Sequence, residues 1–322
     1  MQVVNLRFYI ILLFVSLSLL ALPPAQAAST GPLVSADGLQ TLLATPNPPR
    51  IIDIRTDDEY QAGHIPGAVS APYARWRGPA ESPGQLVDVD ELTELVRELG
   101  IDEHTLVVVT SSGSDATDFG AAARVYWTLK YLGLQQLGLL NGGVQAWEQA
   151  GLSLDTQSPN PAASQFVPTI NHDIVADQAH VAAQLDQPDT LLIDARPENF
   201  FVGKTKAPTA KKPGTIQNAA NLPHDQWFEP GTSMFVDADQ AKAIAEKLIT
   251  QPAEETISFC NTGHWAATDW FALSEVVGMP NVKLYPASLA EWTQATPALP
   301  MDNVPGRGEQ LLDKLKSLVG KS

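Results

Sequence analysis

The chain says the same thing twice. Arg50-Ile51-Ile52-Asp53-Ile54-Arg55 is followed by an acidic stretch and then by Gly63-His64-Ile65-Pro66-Gly67-Ala68. In the second half, Leu191-Leu192-Ile193-Asp194-Ala195-Arg196 leads to Gly214-Thr215-Ile216-Gln217-Asn218-Ala219. Later, Leu106 to Gly113 is answered by Ile257 to Gly263, and each half closes on a strand, a turn and a helix carrying Trp147 or Trp292. The offsets between partners are 141 for Asp53 and Asp194, 150 for Thr110 and Cys260, and 145 for Trp147 and Trp292. Spacing this nearly constant indicates duplication of a whole domain, so one fold has to be built twice.

Within each half, short runs rich in β-branched residues alternate with amphipathic segments. Apolar runs of four or five residues between helices mark the buried strands of a parallel sheet. Each half is therefore expected to be a compact α/β domain with helices on both faces of its sheet. The length of 322 residues suits two such domains rather than one core. We assign residues 28–155 to the first domain, 156–171 to a linker rich in Pro, Ser, Ala and Asn, and 172–300 to the second domain. Residues 301–322 form a tail in which Leu311, Leu312, Leu315, Leu318 and Val319 have helical spacing. This predicts a short helix docking on the second domain or on a partner.

Residues 1–27 read as a secretory signal peptide. Arg7 precedes an apolar stretch from Phe8 to Leu22, Pro23-Pro24 breaks it, and Ala25-Gln26-Ala27 fits the small-x-small cleavage rule. The apolar stretch is shorter than the roughly 20 residues a span needs, so cleavage is expected rather than anchoring. The mature protein would then be periplasmic or secreted, with no membrane attachment. Cleavage removes one arginine and no acid, so the net charge of −16 becomes −17. Such acidity argues against nucleic-acid and anionic-membrane partners, which need a basic face.

Cys260 is the only cysteine, so no internal disulfide can form. It ends the apolar run Ile257-Ser258-Phe259 and opens Asn261-Thr262-Gly263-His264-Trp265, after which a helix is predicted from Ala266 to about Val277. A sulfur at a strand end, before a loop and a helix N-terminus, faces backbone N–H groups that favour its thiolate. A small buried hydrophobe is the alternative reading of a lone cysteine. The six histidines are scattered and none has ligand spacing, so no metal is expected. No phosphate-binding Gly-rich loop, dinucleotide fingerprint or Gly-x-Ser-x-Gly elbow is present, and no cofactor is expected.

Taken together, the paired Asp-x-Arg segments, the Gly-His-Ile-Pro-Gly-Ala box, the strand-end cysteine and the Gly142-Gly143-x-x-x-Trp147 closure resemble a tandem-domain rhodanese. This is the thiosulfate and 3-mercaptopyruvate sulfurtransferase family. The resemblance implies a silent first domain, with Thr110 where a cysteine would stand, and an active second domain with its site near the domain interface. It implies that Cys260 becomes a persulfide within a loop formed by Asn261, Thr262, Gly263, His264 and Trp265. Related phosphatases place an arginine six residues after the cysteine; here that residue is Ala266, so nothing would clamp a phosphate.

Two departures stand out. The residues after the cysteine are Asn261 and Thr262, where thiosulfate-type members carry basic ones, and Phe200 occupies the place of a further expected arginine. His264 is a candidate to replace the missing charge, and Trp265 to wall the pocket. Asp194 and Arg196 read as a supporting pair that fixes loops, and His64 as a structural turn residue. An insertion over 202–213 carries Lys204, Lys206, Lys211 and Lys212, either a solvated loop or a positive patch beside the site.

The expected activity is transfer of a sulfane sulfur from thiosulfate, or else 3-mercaptopyruvate, through Cys260 to cyanide or a thiol. The partners are thus a small anionic sulfur donor and a small or protein acceptor. The rival is a non-enzymatic persulfide carrier serving a protein partner, and a degenerate structural module is the third reading.

Overall fold

The computed structural model describes residues 31–249 and 253–306. The leader expected over 1–27 and the helix expected within the tail lie outside the described residues. Residues 301–302, counted above with that tail, are not helical: Met301–Asp302 is a strand antiparallel to Thr215–Ile216.

The first half contains β1 (Leu33–Val34), α1 (Ala36–Leu43), β2 (Arg50–Asp53), α2 (Asp57–Ala62), β3 (Val69–Ser70), α3 (Val89–Glu98), β4 (Val107–Thr110), α4 (Ala116–Tyr131), β5 (Leu137–Leu140) and α5 (Gly143–Gln149). Its strands form one parallel sheet in the order β1-β5-β4-β2-β3. The second half contains α6 (Gln178–Gln184), β6 (Thr190–Asp194), α7 (Glu198–Phe201), β7 (Thr215–Ile216), β8 (Ala220–Asn221), α8 (Ala238–Leu248), β9 (Glu255–Phe259), α9 (Trp265–Trp270), β10 (Val282–Leu284), α10 (Ser288–Trp292) and β11 (Met301–Asp302). The parallel order β10-β9-β6-β8 repeats β5-β4-β2-β3. Val175 makes a single parallel bridge to Leu284 where the first sheet has β1 beside β5. The duplication in the sequence is thus a duplication of topology.

Alternation along the strands sends side chains to both helical layers. In β4, Val108 joins Leu39, Ile51, Leu140 and Trp147 on one face, while Val107 and Val109 join Leu95, Val96 and the residues of α4 on the other. A third cluster gathers Val181, Leu192, Ile257, Leu289 and Trp292. The largest cluster does not stop at the domain boundary. Phe119 of α4 lies 5.8 Å from Phe271 and 5.2 Å from Phe228, and Tyr126 lies 5.1 Å from Phe271. The Tyr126 hydroxyl and Lys130 Nζ both reach Glu275, at 2.8 and 2.6 Å. Helix α4 is therefore buried on almost every side, and it packs against α9. The helix expected after the cysteine loop begins at Trp265 and continues past Trp270 as a π-helical stretch over Phe271–Val276.

The connecting segment over 156–171 has no regular structure, yet it is pinned to the first domain. Arg97 Nε donates to Phe166 O, and the amides of Thr169 and Asn171 donate to Leu132 O and Tyr131 O.

Candidate active site

The two sheets fix which residues correspond. Asp53 pairs with Thr110 and Asp194 pairs with Phe259, so the residue after each strand end is Ser111 in one half and Cys260 in the other. The loop bonds agree: Val144 N donates to Ser111 O as Leu289 N donates to Cys260 O. The counterpart of Cys260 is Ser111, one residue past the Thr110 expected from aligned strings. Aligned strings set Thr110, the last residue of β4, against Cys260, the first residue after β9, and register across the sheet moves the match by one.

Helix α10 sews the cysteine loop in place. The amides of Leu289 and Ala290 donate to the carbonyls of Cys260 and Asn261, at 3.2 and 3.0 Å. A trans peptide points its C=O and the following N–H in opposite directions. Hence the N–H groups of Asn261 and Thr262 face away from α10. Among the described residues, the amides of Asn261, Thr262, His264, Trp265 and Ala266 have no backbone partner. The first turn of α9 contributes two of these five, as helix N-termini do.

Ser288 is the clasp of this arrangement. Fully buried and held at φ +54°, its hydroxyl accepts the amides of Cys260 and Gly263, both at 3.1 Å, and donates to Tyr285 O at 2.7 Å. Its counterpart, Gly143, has φ +59° and no hydroxyl. There Gly113 N donates to the carboxylate of Asp118 at 2.6 Å instead. The first domain's loop thus has a serine in place of the thiol and already binds an anion of its own.

Cys260 is 1 % exposed. The roof over its loop comes from the first domain. His264 Nε2 donates to Thr117 O at 2.6 Å, which fixes the tautomer, and Nδ1 then accepts from the Tyr73 hydroxyl at 3.0 Å. Tyr73 in turn accepts from Arg77 at 2.7 Å. Burial lowers the His264 pKa to about 4, with Arg77, His224 and Arg124 adding repulsion. The ring is neutral near pH 7, so His264 does not replace the missing cation.

A cation does touch the loop. Arg124, 1 % exposed, donates to Gly263 O at 3.2 Å and to Gly84 O at 3.3 Å. Burial lowers its pKa to about 10, still charged at neutral pH, with Arg77 acting in the same direction and Tyr73 and Cys260 opposing. Thr117, Gly120 and Arg124 recur at i, i+3 and i+7, so one face of α4 meets the loop. A Cβ at Gly120 would lie 2.9 Å from the His264 ring, which explains the glycine.

The other expected residues fall into place as follows. Arg196 binds Asp194 through three contacts of 2.5–3.1 Å and Gly214 O at 2.7 Å, and reaches Asn261 Oδ1 only at 3.4 Å. The pair therefore braces the loop from behind, as Arg55 and Asp53 do in the first domain. Trp265 stacks on buried His224 at 4.7 Å, donates to Thr117 Oγ1 at 3.2 Å and meets Phe200 at 5.9 Å. Phe200, in the place of the expected arginine, is thus packing for that indole. Thr262 lies against Gly84, where an added Cβ would come 3.1 Å from its carbonyl carbon. His64 is buried, stacked on Tyr60 and bonded to Tyr60 O. In the insertion, Lys206 turns onto Ala210 O and Lys211 N onto Thr293 Oγ1; among the described residues none of the four lysines bonds the cysteine loop.

A Rhodanese-like domain model matches residues 35–150 and again residues 177–295, and the chain belongs to the rhodanese family. A thiosulfate sulfurtransferase of Pseudomonas aeruginosa is 31% identical over 245 residues, covering 75% of this chain and 87% of that protein. The sulfur carrier protein TtuD of Thermus thermophilus is 29% identical over 273 residues, covering 81% and 93%. The crystal structure of SseA from Escherichia coli, described with the catalytic mechanism of 3-mercaptopyruvate sulfotransferases, matches with a TM-score of 0.69 at 26% identity over 80% of this chain and 99% of that one.

Proposed function

We propose that this protein is a sulfurtransferase that carries sulfane sulfur on Cys260, with thiosulfate as the first-choice donor and 3-mercaptopyruvate the second. The observation that carries the reading is the loop itself: one thiol at a strand end, followed by five backbone amides that have no backbone partner among the described residues. Such amides stabilise a negative sulfur by charge-assisted hydrogen bonds. The names of the relatives from Pseudomonas aeruginosa and Escherichia coli support the same class of reaction.

In the proposed cycle the Cys260 thiolate attacks the outer sulfur of thiosulfate. A new S–S bond forms, the sulfur–sulfonate bond breaks with its electron pair, and sulfite leaves. The terminal sulfur of the persulfide is then attacked by cyanide or a thiolate. Its bond to Cys260 breaks and the original thiolate returns. No oxidant is consumed, and the loop amides balance the anion at both stages.

Intact mass after incubation with thiosulfate tests this. The wild type should gain the mass of one sulfur atom and lose it on adding cyanide, and Cys260→Ala should gain nothing. No loading by either donor would refute the proposal. A carrier serving a protein partner is favoured by one observation, the 1 % exposure of Cys260, which shields a persulfide from small thiols. That reading predicts single loading without turnover on cyanide. Export of the chain remains our proposal from its first 27 residues, and retention of an intact leader on protein recovered from its host would overturn it.

A further inference from the structure

We infer that Arg124, with Arg77 beside it, supplies the positive charge for sulfur chemistry at Cys260, so that the first domain is a working part of the site. The inference rests on the sulfur-transfer reading above and adds a charge-positioning residue that lies outside the cysteine's own domain.

The argument begins with an imbalance. In a chain of net charge −16, Asp and Glu outnumber Lys and Arg by 36 to 20. Arg55, Arg75, Arg97 and Arg196 each pair with a carboxylate. Arg50, Arg77 and Arg124 have no carboxylate partner among the described residues, and of the three only Arg124 is fully buried, to the same degree as Arg196. Among the described residues the bonds of Arg124 go to two neutral carbonyls at long distances, its Nε has no hydrogen-bond partner, and its guanidinium lies over the face of Trp127 at 5.2 Å. A buried cation without an anion is costly, so such groups normally stand where an anion is held at some stage of function.

The anion-forming groups in its electrostatic surroundings are Tyr73 and Cys260, with Arg77 the neighbouring cation. Tyr73 is the weaker candidate. Burial raises its pKa, and its hydroxyl proton is engaged with His264 Nδ1. His264 itself is neutral. That leaves Cys260, as thiolate or persulfide, together with an anionic donor. The guanidinium rests closely on the loop: a Cβ at Gly263, a position already closed to side chains by Pro286 O at 2.3 Å and a φ of +66°, would lie 2.5 Å from Arg124 Nη1. Arg77 sits over the Tyr73 ring at 5.3 Å and donates to its hydroxyl, which places a second positive charge near Arg124.

Alkylation by matched reagents tests this without assuming turnover. Iodoacetate and iodoacetamide each form a carbon–sulfur bond with Cys260 and release iodide, but only the first is anionic. A fixed cation raises the ratio of the two rate constants, whereas a merely structural arginine leaves it alone. We expect Arg124→Met to lower the iodoacetate-to-iodoacetamide ratio about tenfold, the factor that ~1.4 kcal/mol of attraction gives. Arg124→Lys should keep most of the wild-type ratio. If Arg124→Met does not fold, Arg77→Met, on a less buried side chain, reads the same potential with a smaller drop. A ratio unchanged within twofold in a folded Arg124→Met, or in Arg77→Met where that variant serves instead, overturns the inference. The two readings fail separately: a wild type that cannot load sulfur refutes the transfer proposal, while the ratio still reports the charge beside the thiol.

Discussion

Replacing Ser288 by alanine should loosen the cysteine loop more than any other one-atom deletion in the site. The hydroxyl accepts two amides, those of Cys260 and Gly263, and spends its proton on Tyr285 O. Removing it leaves two N–H groups without a partner in a region from which water is excluded. Each buried unsatisfied donor costs about 1–3 kcal/mol, so the pair costs roughly 2–6 kcal/mol. Alanine brings no relief, because position 288 keeps its φ of +54° and any Cβ there carries the same strain. Glycine loses the same bonds but sheds that strain, worth about 1–2 kcal/mol, against an entropy cost of ~0.5–1 kcal/mol. Ser288→Gly should therefore be the milder change by roughly 0.5–1 kcal/mol. At about 2–4 °C of melting midpoint per kcal/mol, Ser288→Ala should melt roughly 4–24 °C below wild type. Thermal unfolding gives the order wild type, glycine, alanine, and the rate of Cys260 alkylation should fall in the same order. An alanine variant within 0.5 kcal/mol of wild type, with unchanged alkylation, would show that the hydroxyl does not organise the loop.

Two further predictions concern proton uptake. His264 has a native pKa of about 4 against 6.5 for an ordinary histidine, so between these values the unfolded chain binds a proton that the folded one refuses. Stability should therefore fall as pH drops from 6.5 towards 4, by about 2 kcal/mol after allowing for the ring's residual exposure. His264→Gln should flatten that slope in denaturant titrations, and an identical slope would sink the assignment. Asp269 is fully buried, with Oδ1 bonded to Trp227 Nε1 at 2.9 Å and Oδ2 unpartnered, and burial raises its pKa well above 3.8. An acid with a raised pKa contributes stability at low pH that is lost as pH rises. Asp269→Asn should therefore match wild type in acid and exceed it by ~1 kcal/mol or more at neutral and alkaline pH; equal stability at both ends would refute this.

Much of the fold was legible because duplication supplies an internal control. The Asp-x-Arg pairs stand where expected, each closing a strand and bracing a loop through its arginine. The correspondence Thr110 to Cys260 failed by one residue, since strings of apolar residues carry no register and the ladder beside Asp53 and Asp194 does. In the site, the residues contiguous with the cysteine were readable and those brought from elsewhere were not. Arg124 lies 139 residues from Gly263, on a helix so thoroughly buried that no amphipathic pattern marks which face meets a partner. The stripe Thr117, Gly120, Arg124 is present in the sequence, but its meaning depends on knowing that another domain lies over it.

That placement gives a physical reason for a first domain that lacks a thiol. The arginine nearest the cysteine within its own domain, Arg196, is fully engaged by Asp194 and Gly214 O and touches the loop only through a long contact to Asn261. Releasing it to serve the sulfur would strip a buried carboxylate of its partner, a change that typically costs 3–5 kcal/mol. A cation for Cys260 therefore has to come from outside the strand-end brace, and the face of α4 is the surface that lies across the loop. The first domain's own loop, which has no thiol, instead holds the Asp118 carboxylate on Gly113 N, and that carboxylate comes from the same helix whose Arg124 meets the neighbouring loop. On the proposed reading one copy would hold the sulfur and the other the charge, and separating the domains should abolish the site even if each half folds.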